Sequence, residues 1–408
     1  MTENLMNPLK IGIFMWYDNN IKDYGETNHK INKIYCDKYG YTLIKSDKRL
    51  YSERKPHWER FPLLLEYFDK YDYLIWIDAD AHFYIDSPPI TNVINEYPDK
   101  VIIISEDQCC TNPKIQVNTG VFIVKNCLEG KEILNMWGYN EQLYKKMNNW
   151  NGWNDQAILR EMYKVNLLNI YEKSLIVKYG VLQYFYESDK LPEKIFGLKD
   201  KPFIFHLAGS KHKERIKHSV NYFNEYLLHK YNQYLHSNIQ LAKSVIKDIL
   251  NNCENKKMLV FGLGYDSELW YNATNKNTFF IENNQQYIDL NKNINSNNII
   301  YHKYDNITVK NSLKLTEKQI NNFKIPNKIL ELAPFDIILI DGPNGFNDQC
   351  PGRLLPIFWS KKYLSKEGTI IYIDDVNRNL ENKCINKYLL GKPKSYFKER
   401  DGSMKVIM

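Results

Sequence analysis

The sequence is short of most features that would assign it a class at once. Its seven cysteines form no C-x-x-C pair and show no zinc spacing, and Cys109-Cys110 is their only cluster. Reduced thiols in a cytosolic setting fit that usage better than a disulfide framework or a structural zinc site. The opening MTENLMNPLK has no basic stretch followed by an apolar one, and no later run reaches the roughly 20 apolar residues of a membrane span. A cytoplasmic protein with no transmembrane segment is therefore expected. Basic runs interleaved with aromatic residues, which would form a nucleic-acid platform, are missing too. The net charge of +7 is small for 408 residues, so acidic substrates are permitted and no nucleic-acid partner is expected.

What is present is an ordinary globular composition, 43% hydrophobic and 25% charged, in a chain longer than one core usually supports. Two domains follow from that length. The 31 tyrosines, with abundant Asn, Lys and Ile, fit AT-rich coding better than a binding role.

The stretch Tyr71 to Tyr84, YDYLIWIDADAHFY, is an apolar strand running into Asp78-Ala79-Asp80. Residues two apart on a strand face the same way, so the two carboxylates are expected to point at one cation. Hard oxygen ligands suit Mg2+ or Mn2+ better than zinc, and such a cation would neutralise the diphosphate leaving a nucleotide sugar. The motif also occurs by chance at strand ends and in Ca2+ loops.

Around it, strands alternate with helices, which predicts an α/β domain. Strands are expected at Lys10 to Tyr17, Tyr41 to Lys45, Val101 to Ser105 and Val117 to Val124, and helices at Thr27 to Tyr39, Trp58 to Tyr71 and Ala157 to Tyr163. Asn118-Thr119-Gly120 opens one strand, and Trp150 to Gln156, WNGWNDQ, forms a loop of the kind a sugar needs. There Trp153 can stack on sugar C–H faces while amides and carboxylates take hydroxyls, although a lone Trp more often packs its own loop. Pro202 to Lys211, PFIFHLAGSK, reads as a strand ending in His206, Gly209 and Lys211. An imidazole joins carboxylates readily on Mn2+, Gly209 allows close backbone approach, and Lys211 offers charge to a diphosphate.

Six ordered stretches carry a resemblance: KIYCDKYGY from Lys33, the helix with Trp58 and Pro62, IWIDAD from Ile75, VNTGVFIVKN from Val117, NDQ from Asn154 and HLAGSK from His206. Together they resemble the galactosyl/xylosyl/mannosyltransferase GMA12/MNN10 family, glycosyltransferase family 34, of GT-A fold. The resemblance implies that Asp78, Asp80 and His206 hold Mn2+ and that Asp78, Gly209 and Lys211 serve the nucleotide donor. It also implies that Asp155 and Gln156 lie near the anomeric carbon and acceptor, in a retaining transfer that needs no strong protein nucleophile; Asn118 and Trp153 are candidates for substrate binding. Asn154 departs from the family, which often has an acid there.

Glu214 to Leu250 is polar and nearly free of Pro and Gly, so it is expected to be helical. His212, His218, His229 and His236 in or beside it show no metal spacing. Lys257 to Tyr265, KMLVFGLGY, then gives a strand, Gly262-x-Gly264, and a helix from Ser267. Glycines there let a nucleotide approach a helix start. Glu282 ends the strand TFFIE 18 residues beyond Gly264, a distance at which an acid grips ribose hydroxyls. The runs DIILIDGP from Asp336 and TIIYIDDV from Thr369 place Asp341, Asp374 and Asp375 at strand C-terminal ends, the ligand edge of an open α/β sheet. A closing hairpin turns at Asp401-Gly402.

LVFGLGYDSELW, FFIEN, DIILIDGPNGF, PGR and IYIDDVNR resemble the polysaccharide-biosynthesis methyltransferases of the glucuronoxylan 4-O-methyltransferase type. That implies a class I S-adenosylmethionine fold, with Gly262, Gly264 and Glu282 on the cofactor. Asp341 is the first candidate for the base that takes the hydroxyl proton, with Asp374 or Asp375 second. Arg353 is a candidate for an acceptor carboxylate or else a buried structural Arg.

The expected organisation is a GT-A domain over 1–235, a helical linker over 236–252 and a Rossmann-like methyltransferase over 253–408. The expected function is a bifunctional glycan-biosynthesis enzyme that uses a nucleotide sugar, UDP-linked by preference, an oligosaccharide or glycan acceptor, Mn2+ or Mg2+, and S-adenosylmethionine. Two alternatives stand beside it. In one the methyl acceptor is a nucleotide sugar or small molecule; in the other the protein is a catalytically inactive carbohydrate-binding scaffold. The AT-rich composition would suit a microbe or a large DNA virus replicating in an infected cell.

Overall fold

The computed structural model describes residues 8–107, 117–147, 154–178, 180–185 and 203–408. The chain divides into two compact units, Met1–Phe223 and Asn224–Met408, each built on mixed α/β sheets.

In the first unit β1 (Ile11–Trp16), β2 (Thr42–Ser46), β3 (Tyr73–Ile77), β5 (Ile102–Glu106), β6 (Val117–Lys125) and β7 (Ser174–Val177) form one sheet, in the order β2-β1-β3-β6-β5-β7. β1 and β3 are parallel, and β6 runs antiparallel to both β3 and β5. Every residue of β1 and β3 is buried, because helices or loops cover both faces; hence the continuous apolar runs in the sequence. A second, three-stranded sheet joins β4 (Ala81–Phe83), β9 (Ile204–His206) and β8 (Gln183–Phe185). Its register sets Ala81 opposite His206, which carries the imidazole to the residue following Asp80.

Three expectations change here. β3 stops at Ile77, so Asp78 and Asp80 lie in a turn closed by the Ala81 N–H on the Asp78 carbonyl at 3.0 Å, not on a pleated strand. The helix expected over Trp58 to Tyr71 is split into a 3-10 turn at Pro56–Glu59, an α-helix at Arg60–Glu66 and a second 3-10 turn at Phe68–Lys70. Pro62 has no N–H to donate and fits only the first turn, which sets the helix start near Arg60. The strand expected over Pro202 to Lys211 is confined to three residues. The helix Lys22–Tyr39 does end at Gly40, whose φ of 71° is the left-handed C-cap.

In the second unit β10 (Met258–Phe261), β11 (Thr278–Glu282), β12 (Ile299–Tyr301), β13 (Phe335–Ile340), β14 (Ser365–Asp374), β15 (Lys394–Phe397) and β16 (Ser403–Ile407) form a seven-stranded sheet, ordered β12-β11-β10-β13-β14-β16-β15. The first five are parallel, and β16 and β15 close the edge as the expected hairpin. The strand order reverses between β10 and β13, the switch point where open α/β sheets take ligands.

The continuous helix expected over Glu214 to Leu250 is two helices, His212–Lys230 and Lys243–Cys253. The polar residues between them, rich in Asn, Ser and His, favour local side-chain bonds over a helix. Within the second helix Val245, Ile246, Ile249, Leu250 and Cys253 are buried, so it is a packed element of the second unit.

Ile338, fully buried in the central β13, fixes the expected scale of core stability. Ile338→Ala is expected to cost about 2–5 kcal/mol, read as a lower urea midpoint at unchanged slope.

Candidate active sites

The first site assembles from four segments lashed by backbone bonds. The Asp78 N–H reaches the Gly120 carbonyl at 2.8 Å, and the Leu207 N–H reaches the Asp80 carbonyl at 2.9 Å. From the helix Lys22–Tyr39 two buried asparagines complete the clamp: Asn28 donates to the Ala79 carbonyl at 2.8 Å and Asn32 to the Ala81 carbonyl at 3.2 Å.

Within this frame ligand atoms of Asp78, Asp80 and His206 lie within 4.8 Å of one another. His206 Nε2 is 3.3 Å from Asp80 Oδ1 and 4.0 Å from Asp78 Oδ2. A relay of hydrogen bonds aims that nitrogen. The Gly120 N–H donates to Asn118 Oδ1 at 3.0 Å, and the same oxygen accepts from Gln183 Nε2 at 3.1 Å. Gln183 therefore turns its Oε1 to His206 Nδ1, 2.9 Å away, which must carry the proton. Nε2 is left facing the carboxylates, where it becomes a ligand when a cation displaces its proton. The close approach of the imidazole requires glycine at 120, since a Cβ there would stand 2.1 Å from the His206 ring.

Each carboxylate also gives its other oxygen to a cationic or N–H partner. Asp78 Oδ1 accepts from Arg60 at 3.1 Å and from Trp76 Nε1 at 2.7 Å, while Asp80 Oδ2 pairs with Arg215 at 3.1 Å. The two acids are thereby driven apart in acidity. Burial raises Asp78, with Arg60 opposing; burial also works against Asp80, but while no cation is bound a protonated His206, donating toward Asp80, and Arg215 outweigh it and hold Asp80 below the usual carboxylate range. Two carboxylate oxygens and one imidazole nitrogen, each side chain backed by a second partner, fit a Mn2+ or Mg2+ ion.

Arg60 also binds Asp155 at 2.9 Å and the Thr119 carbonyl at 2.6 Å, so the expected Asp155 joins the metal carboxylates through one guanidinium. Asp155 is only 2% exposed. Gln156 is buried beside it, accepting from the Thr119 N–H and donating to Asp107, and so braces the Asn118-Thr119-Gly120 segment. Asn118, expected on the substrate, instead spends its side-chain oxygen on the relay. Gly209 takes φ 74° in an exposed turn with nothing near a Cβ. Lys211 is exposed at the start of the helix His212–Lys230, and the cation that meets Asp80 is Arg215, one turn further on. Trp153 lies outside the described residues, as do Trp150, Cys109 and Cys110.

The second site is a cavity of about 770 Å3 at the switch point of the seven-stranded sheet, lined by Gly262, Gly264, Glu282, Asp341, Asp374 and Asp375 among others. Gly262 has φ 110°, and a Cβ there would meet the Gly342 backbone at 3.2 Å, so the ends of β10 and β13 touch only because both residues are glycine. Glu282 accepts three backbone N–H groups, from Leu263 at 2.6 Å, Asn283 at 2.8 Å and Asn284 at 2.6 Å. That leaves about one of its four lone pairs for a ligand hydroxyl. Tyr265, Tyr287 and Phe346 line the same cavity and are exposed, giving it apolar edges.

Of the two readings of Arg353, its surroundings favour the buried structural one, although it also reaches the cavity lining. It is 3% exposed, and its guanidinium is held by Asp375 at 2.6 Å, Asp341 at 3.3 Å and the carbonyls of Asp341 and Asp374. The arginines that line the cavity with more freedom are Arg378, which pairs with Asp375 at 2.8 Å, and Arg400. Asp341 keeps 32% of its side chain exposed. Burial and the neighbouring Asp266, Asp374 and Asp375 push it up to about 7, with Arg353 opposing. Sequence reasoning missed Arg60, Arg215, Gln183 and Asp266. The first two had a signal, Arg60 as the lone cation opening the apolar run RFPLLL and Arg215 standing four residues after Lys211.

The two halves match two different families. Residues 87–217 match the galactosyl transferase GMA12/MNN10 family and residues 308–405 match IRX15/IRX15L/GXM. Both resemblances drawn from the motifs hold. Among curated proteins, glucuronoxylan 4-O-methyltransferase 2 of Arabidopsis thaliana is 29% identical over 184 residues, covering 40% of this chain and 62% of the relative. Glucuronoxylan 4-O-methyltransferase 3 of the same plant is 29% identical over 182 residues, 40% of this chain and 60% of the relative. The chain thus spans about three fifths of the length of these relatives. Among solved structures, a glycosyltransferase involved in glycosylation of the major capsid of PBCV-1 aligns with TM-score 0.39 and 18% identity, over 52% of this chain and 98% of that one. Among the described residues no helix is long and apolar enough to cross a membrane.

Gln183→Leu removes the acceptor that fixes His206. It is expected to weaken Mn2+ binding about 10–100-fold in titration calorimetry while the thermal midpoint stays near that of the parent.

Proposed function

We propose that the first unit is a metal-dependent, retaining glycosyltransferase that uses a nucleotide sugar, UDP-linked by preference. We propose that the second is an S-adenosylmethionine-dependent methyltransferase acting on a sugar hydroxyl. The convergence of Asp78, Asp80 and His206, whose ring is oriented by Gln183, carries the first reading. The GMA12/MNN10 match over residues 87–217 supports it. Mn2+ held there supplies Lewis-acid neutralisation of a departing diphosphate. Arg60 keeps Asp78 and Asp155 in one fixed arrangement, so the donor and acceptor sides share a single rigid support.

For the second unit, the five parallel strands with an antiparallel hairpin and a cavity at the strand reversal support the expected class I fold. The cofactor supplies an activated methyl group. Asp375 is engaged by two arginines, and Asp374 accepts from the Ser403 hydroxyl at 2.5 Å. Asp341 faces the cavity with its acidity near neutrality, which suits a base that must accept a hydroxyl proton. The names of the curated relatives support a glycan acceptor, and the order of the units supports addition of a sugar followed by its methylation.

Incubation with a panel of UDP- and GDP-sugars should release nucleotide only when Mn2+ or Mg2+ is present, and Asp80→Asn should abolish the release. Nucleotide release that survives both chelation and Asp80→Asn would remove the metal-dependent reading. Methyl transfer from labelled S-adenosylmethionine should rise with pH through about 7, because Asp341 acts only when deprotonated. Asp341→Asn should reduce it by at least about 100-fold; a normal rate in that variant would assign the proton to another group.

A further inference from the structure

The two arginines that hold the metal carboxylates are not equivalent. Arg60 is 3% exposed, and every nitrogen of its guanidinium is engaged: Nε on the His57 carbonyl, one terminal nitrogen on the Thr119 carbonyl and Asp155, the other on Asp78. It is a fixed part of the wall. Arg215 is 21% exposed and held by two partners, Asp80 at 3.1 Å and the Tyr24 hydroxyl at 3.3 Å. Its Nε is buried with no hydrogen-bond partner among the described residues. A buried N–H left unmade is costly, so this guanidinium is poised to accept a better arrangement.

Charge counting says what would complete it. Without a cation, Arg215 balances Asp80. A dication among Asp78, Asp80 and His206 cancels both carboxylates and leaves the Arg215 charge without its counter-charge. A planar fork with spare donors beside a cation is the arrangement that binds phosphate oxygens two at a time. The Tyr24 ring lies beneath the guanidinium, 5.6 Å from it, and can carry a small swing of the side chain without loss of contact.

We propose that Arg215 is an exchangeable clamp. It neutralises Asp80 while the site holds no cation and turns to the diphosphate of the nucleotide donor once the cation is bound, so that metal and nucleotide bind cooperatively. This rests on the donor-site reading of the first unit and adds the residue that couples its two ligands. Arg215, rather than the exposed Lys211, is then the main protein contact of the diphosphate.

The test is titration calorimetry on the full chain with MnCl2 alone, and with UDP at saturating Mn2+, for wild type, Arg215→Ala, Arg215→Lys and Lys211→Ala. Arg215→Ala should bind Mn2+ alone more tightly, by about two- to tenfold, since a competing positive charge is gone. The same variant should bind UDP at least about tenfold more weakly, a coupling of ordinary allosteric size. Arg215→Lys should recover part of the UDP affinity, and Lys211→Ala should lose less than Arg215→Ala. A merely structural Arg215 would weaken both ligands together, and that outcome overturns the proposal, as does unchanged UDP affinity in Arg215→Ala. Wild type binding Mn2+ but no UDP or GDP would sink the donor-site reading itself, a result separable from any behaviour of the variants.

Discussion

One backbone N–H, that of Gly120, decides what His206 can do. It fixes the Asn118 oxygen, which fixes the Gln183 amide, which puts the proton on His206 Nδ1 and leaves Nε2 as a ligand. Hydrogen bonds of this kind matter less for their net stabilisation, about 1 kcal/mol each, than for removing the wrong tautomer and the wrong ring orientation. The segment that supplies Gly120 also supplies Thr119, whose carbonyl and hydroxyl meet Arg60 and Asp155. Three residues of one strand therefore organise both the imidazole and the guanidinium that faces it.

The second unit solves a related electrostatic problem with opposite means. Asp266, Asp341, Asp374 and Asp375 converge on one cavity, and the buried Arg353, with Arg378, supplies the charge that lets so many carboxylates coexist. Breaking a buried pair costs far more than the pair itself contributes, because the partner is left uncompensated. Arg353 thus bears on the acidity of the acids around it. Burial first, and repulsion from Asp266, Asp374 and Asp375 after it, raise Asp341, while Arg353 opposes them.

Much of this was legible in the chain. Apolar runs located β1, β3, β10, β11 and β13 because both faces of those strands are covered, so side-chain type alone marks them. The acids at strand ends were legible because chemistry gathers at the carboxyl edge of a parallel sheet. The reason Asp78 and Asp80 converge was not: a turn held by Asn28 and Gly120 does it, through contacts from residues about 40 to 50 positions away that no local pattern reports. The same holds for Gln183 and for the fate of Arg353, since neither which partner a guanidinium finds nor how many of its donors remain can be read from spacing. Arg215 was within reach, as a cation four residues beyond Lys211, which had already been marked for the diphosphate.

In sequence the boundary of the compact units falls between Phe223 and Asn224, inside the unbroken helix His212–Lys230 whose Arg215 pairs with Asp80. The next helix, Lys243–Cys253, has a fully apolar inner face. Dissection of the chain for separate expression is therefore constrained. A break near Asn251 would strip four of five buried side chains from the second unit and attach them to the first, and one at the unit boundary would cut a helix in mid-course. A break at 235–237 severs no helix or strand and leaves Asn238, Ile239 and Gln240, which line the cavity of the second unit, attached to it.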